Sequence, residues 1–264
     1  MDFGLKGRVA IVAAASTGLG RAVAEELAKE GCELAICSHN TAKIEKAAAE
    51  ISKVAGGREI LARNVDVGNA AQVTAFVAEA EKKFGRVDIC VTNGGGPPPK
   101  KFLEISDQDW RDAVDSTLLS AVNFSRAVLP LMQKNKWGRL ITITSTSVKQ
   151  PLDGLMLSNS IRAAVTGMAK TLASEFGPFG ITVNNVCPGF TATARLEELF
   201  EKRAQAAGTT VEEIAKQSAA QIPIGRIARP DEFAAVVTFL ASERASAVNG
   251  VTIAVDGGML KGLF

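Results

Sequence analysis

The sequence contains no tyrosine and one histidine, His39. The first absence removes any phenol as a proton donor. The second means that no histidine-based triad or histidine-cluster metal site can be built without His39. Cysteine is scarce as well: Cys32, Cys37, Cys90 and Cys187 make no Cys-x-x-Cys pair. They read as small buried apolar side chains rather than a disulfide or zinc framework, and no metal is expected. Long hydrophobic runs are missing; "VAIVAAA", Val9 to Ala15, is too short to span a bilayer. The opening "MDFGLKGR" lacks the apolar core of a secretory signal, so a cytoplasmic protein is expected. An excess of one charge is missing too. With 30 basic against 28 acidic residues, a net charge of +2 predicts neither a nucleic-acid nor a membrane-surface partner.

What is present is an alternation of strand and helix. The chain has 264 residues, of which 47% are hydrophobic, enough for one large α/β domain. "RVAIVAAA", "ELAICS", "EILARNVDV", "VDICVTN", "GRLITITS", "ITVNNVCPG" and "VTIAVDGG" read as strands, with helical spacing between them. Gly31 and Gly85 are the expected helix stops, and Pro230 an expected helix start. One long helix is expected from about Asp107 to Lys134 and another from about Leu157 to Phe176. No linker, low-complexity tract or repeat divides the chain. The expectation is a single Rossmann-like, doubly wound domain over residues 1–264, with about seven parallel strands and helices on both faces. Residues 190–225 are polar and helix-prone with no strand; they would form a helical lid over the substrate. "GGGPPPKKF", residues 94–102, can continue neither a helix nor a central strand and would form the facing wall, with Phe102 and Leu103 lining or supporting it.

Ligands of such sheets bind outside the carboxyl ends of the strands. After the first strand, Ser16, Gly18, Leu19 and Gly20 open a helix. Backbone N–H groups there and the helix dipole attract a phosphate, and the glycines let it approach. The second strand ends in Ser38, His39 and Asn40. A carboxylate for an adenosine ribose is missing there, which disfavours NAD(H). The three side chains present can donate hydrogen bonds to a 2′-phosphate, so NADP(H) is favoured over NAD(H).

Over essentially its whole length the chain resembles the short-chain dehydrogenase/reductase family, in layout the 3-oxoacyl-carrier-protein reductase type. "AAASTGLG" stands where the family has Thr-Gly-x-x-x-Gly-x-Gly, with Ala13 and Ala14 replacing the Thr and first Gly. "TNGGG" keeps Asn93 and Gly94 after the fourth strand. "NVDV" places Asp66 and Val67 where the family brackets adenine. "PGFTAT" sets Pro188, Gly189, Thr191 and Thr193 beside the nicotinamide, and "VDGG" matches the closing strand.

The resemblance fails where the chemistry is expected. The family works with Asn, Ser, Tyr and Lys. The Ser falls on Ser145; counting on without a gap, the Tyr falls on Ser158, the Lys on Arg162, and the Asn on Thr117. A serine hydroxyl has no comparable acidity, whereas Arg162 can still hold the ribose hydroxyls. The implied function is reduction of a carbonyl, or oxidation of an alcohol, with a non-standard proton donor. Ser145 would polarise the carbonyl, Ser158 would relay through water, and Lys149 would supply a proton or charge. A cofactor-binding sensor or partner subunit without catalysis, or a non-redox activity on this scaffold, are the alternatives. The substrate would be a medium-sized, partly apolar carbonyl or alcohol. The family commonly assembles through its two long helices and last strand, which implies a homodimer or homotetramer.

Overall fold

Four consecutive residues, Val9–Val12, are buried without alternation, as a central strand must be when helices cover both faces of a parallel sheet. A computed structural model describes residues 2–263. This run is β1. It is followed by β2 (Glu33–Ser38), β3 (Leu61–Asn64), β4 (Ile89–Thr92), β5 (Gly138–Ile143), β6 (Ile181–Pro188) and β7 (Thr252–Val255). They form one 7-stranded sheet in the order β3-β2-β1-β4-β5-β6-β7, parallel at every pairing. The chain winds outward from β1 to β3, then crosses back to β4, so the topological switch lies between β1 and β4.

The helices are α1 (Gly18–Lys29), α2 (Thr41–Val54), α3 (Ala70–Phe84), α4 (Asp107–Ala113), α5 (Ser120–Asn135), α6 (Met156–Phe176), α7 (Ala194–Ala207), α8 (Val211–Ala220) and α9 (Pro230–Ala241). Helices α1, α2 and α9 pack on one face, where Val23, Leu27, Ile44, Ile51 and Phe233 meet Ala10 and Val12. Helices α3, α5 and α6 cover the other, where Phe76, Phe124, Val128 and Ala169 meet Ile11 and Cys90. Alternate side chains of β1 thus feed opposite cores, which fixes its register. The four cysteines are free and buried; burial raises the thiol pKa of Cys32 and Cys37 to about 12, leaving inert apolar groups. Gly85 ends α3 in the left-handed conformation, and Pro230 occupies the first turn of α9.

Two expectations change. The long helix from Asp107 is α4, a wide π-turn at Val114–Leu119, and then α5. Neither glycine nor proline marks this turn, because a π-turn needs only one extra residue in the helical ladder. The first strand also stops at Val12: Ala13–Ala15 are apolar yet belong to the turn, and Ala14 takes a positive φ of 49°. Among the described residues, no helix is long and apolar enough to cross a membrane.

Between residues 190 and 225 lie α7 and α8, capped by Thr193 and Thr210, whose hydroxyls accept from the backbone amides of Leu196 and Glu213. Phe200, Ala204 and Ile214 make a small core separate from those flanking the sheet. The wall differs from expectation in one respect. Leu103 is 95% exposed and Phe102 61%, so neither lines the wall; the neighbouring Lys100 pairs with Asp109 at 2.8 Å.

Candidate functional site

The turn from β1 into α1 is shaped by glycine. A Cβ on Gly20 would lie 2.5 Å from the Ala14 carbonyl oxygen, and Gly18 holds φ +60°. Thr17 caps α1 without a side-chain hydrogen bond, whereas Asn40, Asn69, Thr193 and Thr210 each satisfy an amide at their own helices. The first amides of α1, flanked by Ser16 and Leu19, are therefore left to an outside acceptor. The loop after β6 closes on this cradle: a Cβ on Gly18 would be 3.6 Å from Cγ2 of Thr193. Gly189 packs so closely that a Cβ would lie 2.7 Å from Cα of Asp256. Thr191, beyond Pro188, is buried and donates to the Gly189 carbonyl at 3.4 Å. Unsatisfied amides at a helix start beside a surface without Cβ atoms fit the diphosphate of a dinucleotide.

At the end of β2 the Ser38 hydroxyl is tied to Asn40, donating to its carbonyl and accepting from its amide at 3.2 Å. The Asn40 carboxamide oxygen accepts from the Lys43 amide at 2.9 Å. His39 stays exposed. The Asn64 carboxamide donates to the His39 carbonyl at 3.3 Å and to Thr41 Oγ1 at 2.8 Å. Sequence reading missed Asn64; its strand-end position beside β2 was the available signal. Asp66 accepts from the Gly68 amide at 3.0 Å, and the Val67 carbonyl accepts from Asn123 at 3.2 Å. These bonds hold the turn that would border an adenine.

The other end of the site gathers residues from four elements. Ser158 and Arg162 lie one turn apart on α6, at 7% and 8% exposure. Nη1 of Arg162 donates to the carbonyls of Ile143 and Thr144 at 3.2 and 3.1 Å, the last acceptors at the end of β5. Burial, and then the positive charge of Arg195, lower its pKa to about 10; it remains cationic at neutral pH. Arg162 lines a small hollow of about 10 Å³ with Asn93, Gly94 and Thr117, room for roughly one water. Thr117 sits within the π-turn, and its buried hydroxyl has no partner. The turn reaches the β4 loop because Gly94 has no side chain: a Cβ there would be 2.6 Å from the Ser116 carbonyl oxygen. Ser145 Oγ, at the mouth of β5, accepts from the Ser147 amide at 3.1 Å. Below it, the Thr144 hydroxyl and the Cys187 thiol are 3.2 Å apart.

Lys149 stands at the rim of this end, where its charge reaches the Cys187 thiol and opposes the rise that burial imposes. It is exposed and lines an open hollow of about 430 Å³ with Gln150, Asp256 and Leu260, which shares no lining residue with that of Arg162. The structure brings in a second residue that the sequence alone did not single out. Arg195, on the first turn of α7, donates from Nη1 to the Gly96 carbonyl at 2.9 Å and from Nη2 to the Pro97 carbonyl at 3.2 Å. An arginine in a polar helix reads as solvated; only the folded chain sets it against the glycine wall.

A family model described as Enoyl-(Acyl carrier protein) reductase matches residues 13–260. The chain is 36% identical over 252 residues to the short-chain reductase protein NovJ of Streptomyces niveus, covering 95% of this chain and 93% of that protein. It is 34% identical over 256 residues to the 3-oxoacyl-[acyl-carrier-protein] reductase FabG of Escherichia coli K12, covering 96% and 98%. The crystal structure of L-sorbose reductase from Gluconobacter frateurii, complexed with NADPH and L-sorbose, superposes over 100% of both chains with a TM-score of 0.94 and 32% identity. With the fold, the glycine cradle and the family match in agreement, the chain belongs to the short-chain dehydrogenase/reductase family of NAD(P)-dependent oxidoreductases.

Proposed function

We propose that this protein is a nicotinamide-dependent reductase of a small-molecule carbonyl that works without a tyrosine acid. The observation that carries the reading is the seat of Arg162. Its guanidinium is fixed by the carbonyls of Ile143 and Thr144 at the end of β5, one turn along α6 from Ser158 and beside the hollow of Asn93 and Thr117. When bound, the dinucleotide supplies the hydride. Ser16, Gly18, Leu19 and Gly20 hold its diphosphate, and Asp66 and Val67 border its adenine. Asn93, Gly94, Pro188, Gly189, Thr191 and Thr193 surround its nicotinamide half. Ser38, His39 and Asn40 favour NADP(H), since that strand end carries no acidic group to meet a ribose hydroxyl.

Arg162 uses its remaining donors on ribose hydroxyls and places a positive charge beneath the site. Ser145 donates a hydrogen bond to the carbonyl oxygen as negative charge develops on it. Ser158 is too short to reach where a phenol would, so it orders a water that delivers the proton. In this reading water delivers the proton, and Lys149, exposed beside the other hollow, supplies positive charge. Helices α7 and α8 act as the lid over a partly apolar substrate. Ala163, Ala164 and Gly167 are exposed on α6, and a Cβ on Gly167 would meet nothing; this bare face supports a homodimer or homotetramer. We place the protein in the cytoplasm. The test is to titrate NADPH and NADH by fluorescence, then follow oxidation of the one that binds against a panel of ketones and aldehydes. Tight binding without turnover would favour the sensor alternative, for which the absence of any phenol speaks; binding of neither would reject both.

A further inference from the structure

The mechanism above leaves Arg195 unused, yet the structure makes room for it. A Cβ on Gly96 would lie 2.6 Å from the Arg195 guanidinium carbon, so the side chain lies flat against the wall only because residue 96 is glycine. Both hydrogen bonds it makes go to neutral carbonyls, Gly96 and Pro97. Carboxylates pair with most other arginines of the molecule. Among the described residues, none lies within 4.0 Å of the guanidinium of Arg195 or Arg162. Glu198, on the same helix, eases the charge of Arg195 without forming an ion pair. The two guanidiniums also repel: Arg195 is near enough to weaken protonation of Arg162. Arg195 is exposed, and neither it nor the buried Arg162 holds a carboxylate in an ion pair, so an anion bound at Arg195 would offset the repulsion between the two cations. Planar guanidinium suits carboxylate, which it can grip with two parallel N–H donors.

Resting on the reductase reading above, we propose that Arg195 receives a carboxylate of the substrate, so that the preferred substrates are oxo acids rather than neutral ketones. Arg162 belongs to the cofactor side of the cleft. Arg195, between the lid helix and the glycine–proline wall, is the cation on the substrate side. Its position also couples recognition to closure, since an anion bound there touches the lid and the wall together.

The experiment compares matched acids and methyl esters: acetoacetate, levulinate and phenylpyruvate, each with its ester. The wild-type enzyme is expected to prefer the acids in kcat/KM by about tenfold or more, the worth of one charge-assisted pair. Arg195→Gln should erase that preference, Arg195→Lys should keep part of it, and Gly96→Ala, which displaces the guanidinium, should lower it. A second readout needs no turnover. In saturating NADP+, the acids should raise the melting temperature of the wild-type protein but not of Arg195→Gln. Equal losses on acids and esters in Arg195→Gln would make Arg195 a lid fastener and overturn the proposal. So would a fall in NADPH affinity with the acid preference intact, which would assign the arginine to a cofactor phosphate. Acids that bind and stabilise without being reduced would uphold the anion site while rejecting the reductase reading. Acids that neither bind nor react would overturn the site.

Discussion

At the scale of single residues, the substitutions at the family's own positions have opposite consequences. Ala14 stands where the family has glycine and takes φ 49°, a conformation that costs an L-residue roughly 1–2 kcal/mol. Ala14→Gly should therefore stabilise the protein by about 1 kcal/mol after the greater chain entropy of glycine is subtracted, a difference that urea unfolding resolves. Arg162 replaces a lysine, and its pKa is lowered to about 10 by burial and by Arg195. It therefore stays charged up to about pH 9. With no phenol in the chain, kcat should be flat from about pH 6 to 9, and a steep limb inside that window would mean a titrating acid or base at the reacting oxygen. Ser145→Ala should lower kcat by about 10²-fold, the usual loss when a donor to the developing oxyanion is removed. Restoring the family pair with Ser158→Tyr and Arg162→Lys should raise kcat if a carbonyl sits where the family holds it; no gain would mean that the pocket presents its substrate differently.

Elements explain which features could be read from the sequence. Strand β2 was legible because two-sided burial demands an apolar run such as Leu34 to Cys37, and α3 because Gly85 marks its end. The π-turn was not legible: Val114–Leu119 carries no breaker, and only packing against Gly94 reveals why the helix widens there. The cofactor cradle was readable from Gly18 and Gly20, since their role is local. The substrate side was not, because Arg195 meets Gly96 across a separation of 99 residues. Gly20 tests the cradle as an element. A Cβ there would strike the Ala14 carbonyl at 2.5 Å, so Gly20→Ala should shift the start of α1. NADPH affinity should fall by about tenfold or more as the phosphate amides move, measured by fluorescence titration; unchanged affinity would place the diphosphate elsewhere.

Across the whole molecule, one parallel sheet brings the loops of the proposed site to the same side, the carboxyl ends of its strands. A core lies on either face of that sheet, while α7 and α8 have their own small core around Phe200 and Ile214. Assembly would use the bare face of α6. A monomer in light scattering would contradict it. In the proposed assembly a charged side chain at Gly167, as in Gly167→Glu, should shift the protein toward monomer, because close helix packing through that face would admit only small residues.

In the function proposed here, this chain keeps the family's cofactor site and reduces a carbonyl without the family's phenol. The most direct measurement is NADPH oxidation at 340 nm against a panel of neutral and acidic carbonyl compounds, with wild-type protein and Arg162→Met side by side. The wild type should turn over, and Arg162→Met should lose turnover and bind NADPH more weakly. Tight NADPH binding by the wild type with no oxidation on any member of the panel would contradict that function.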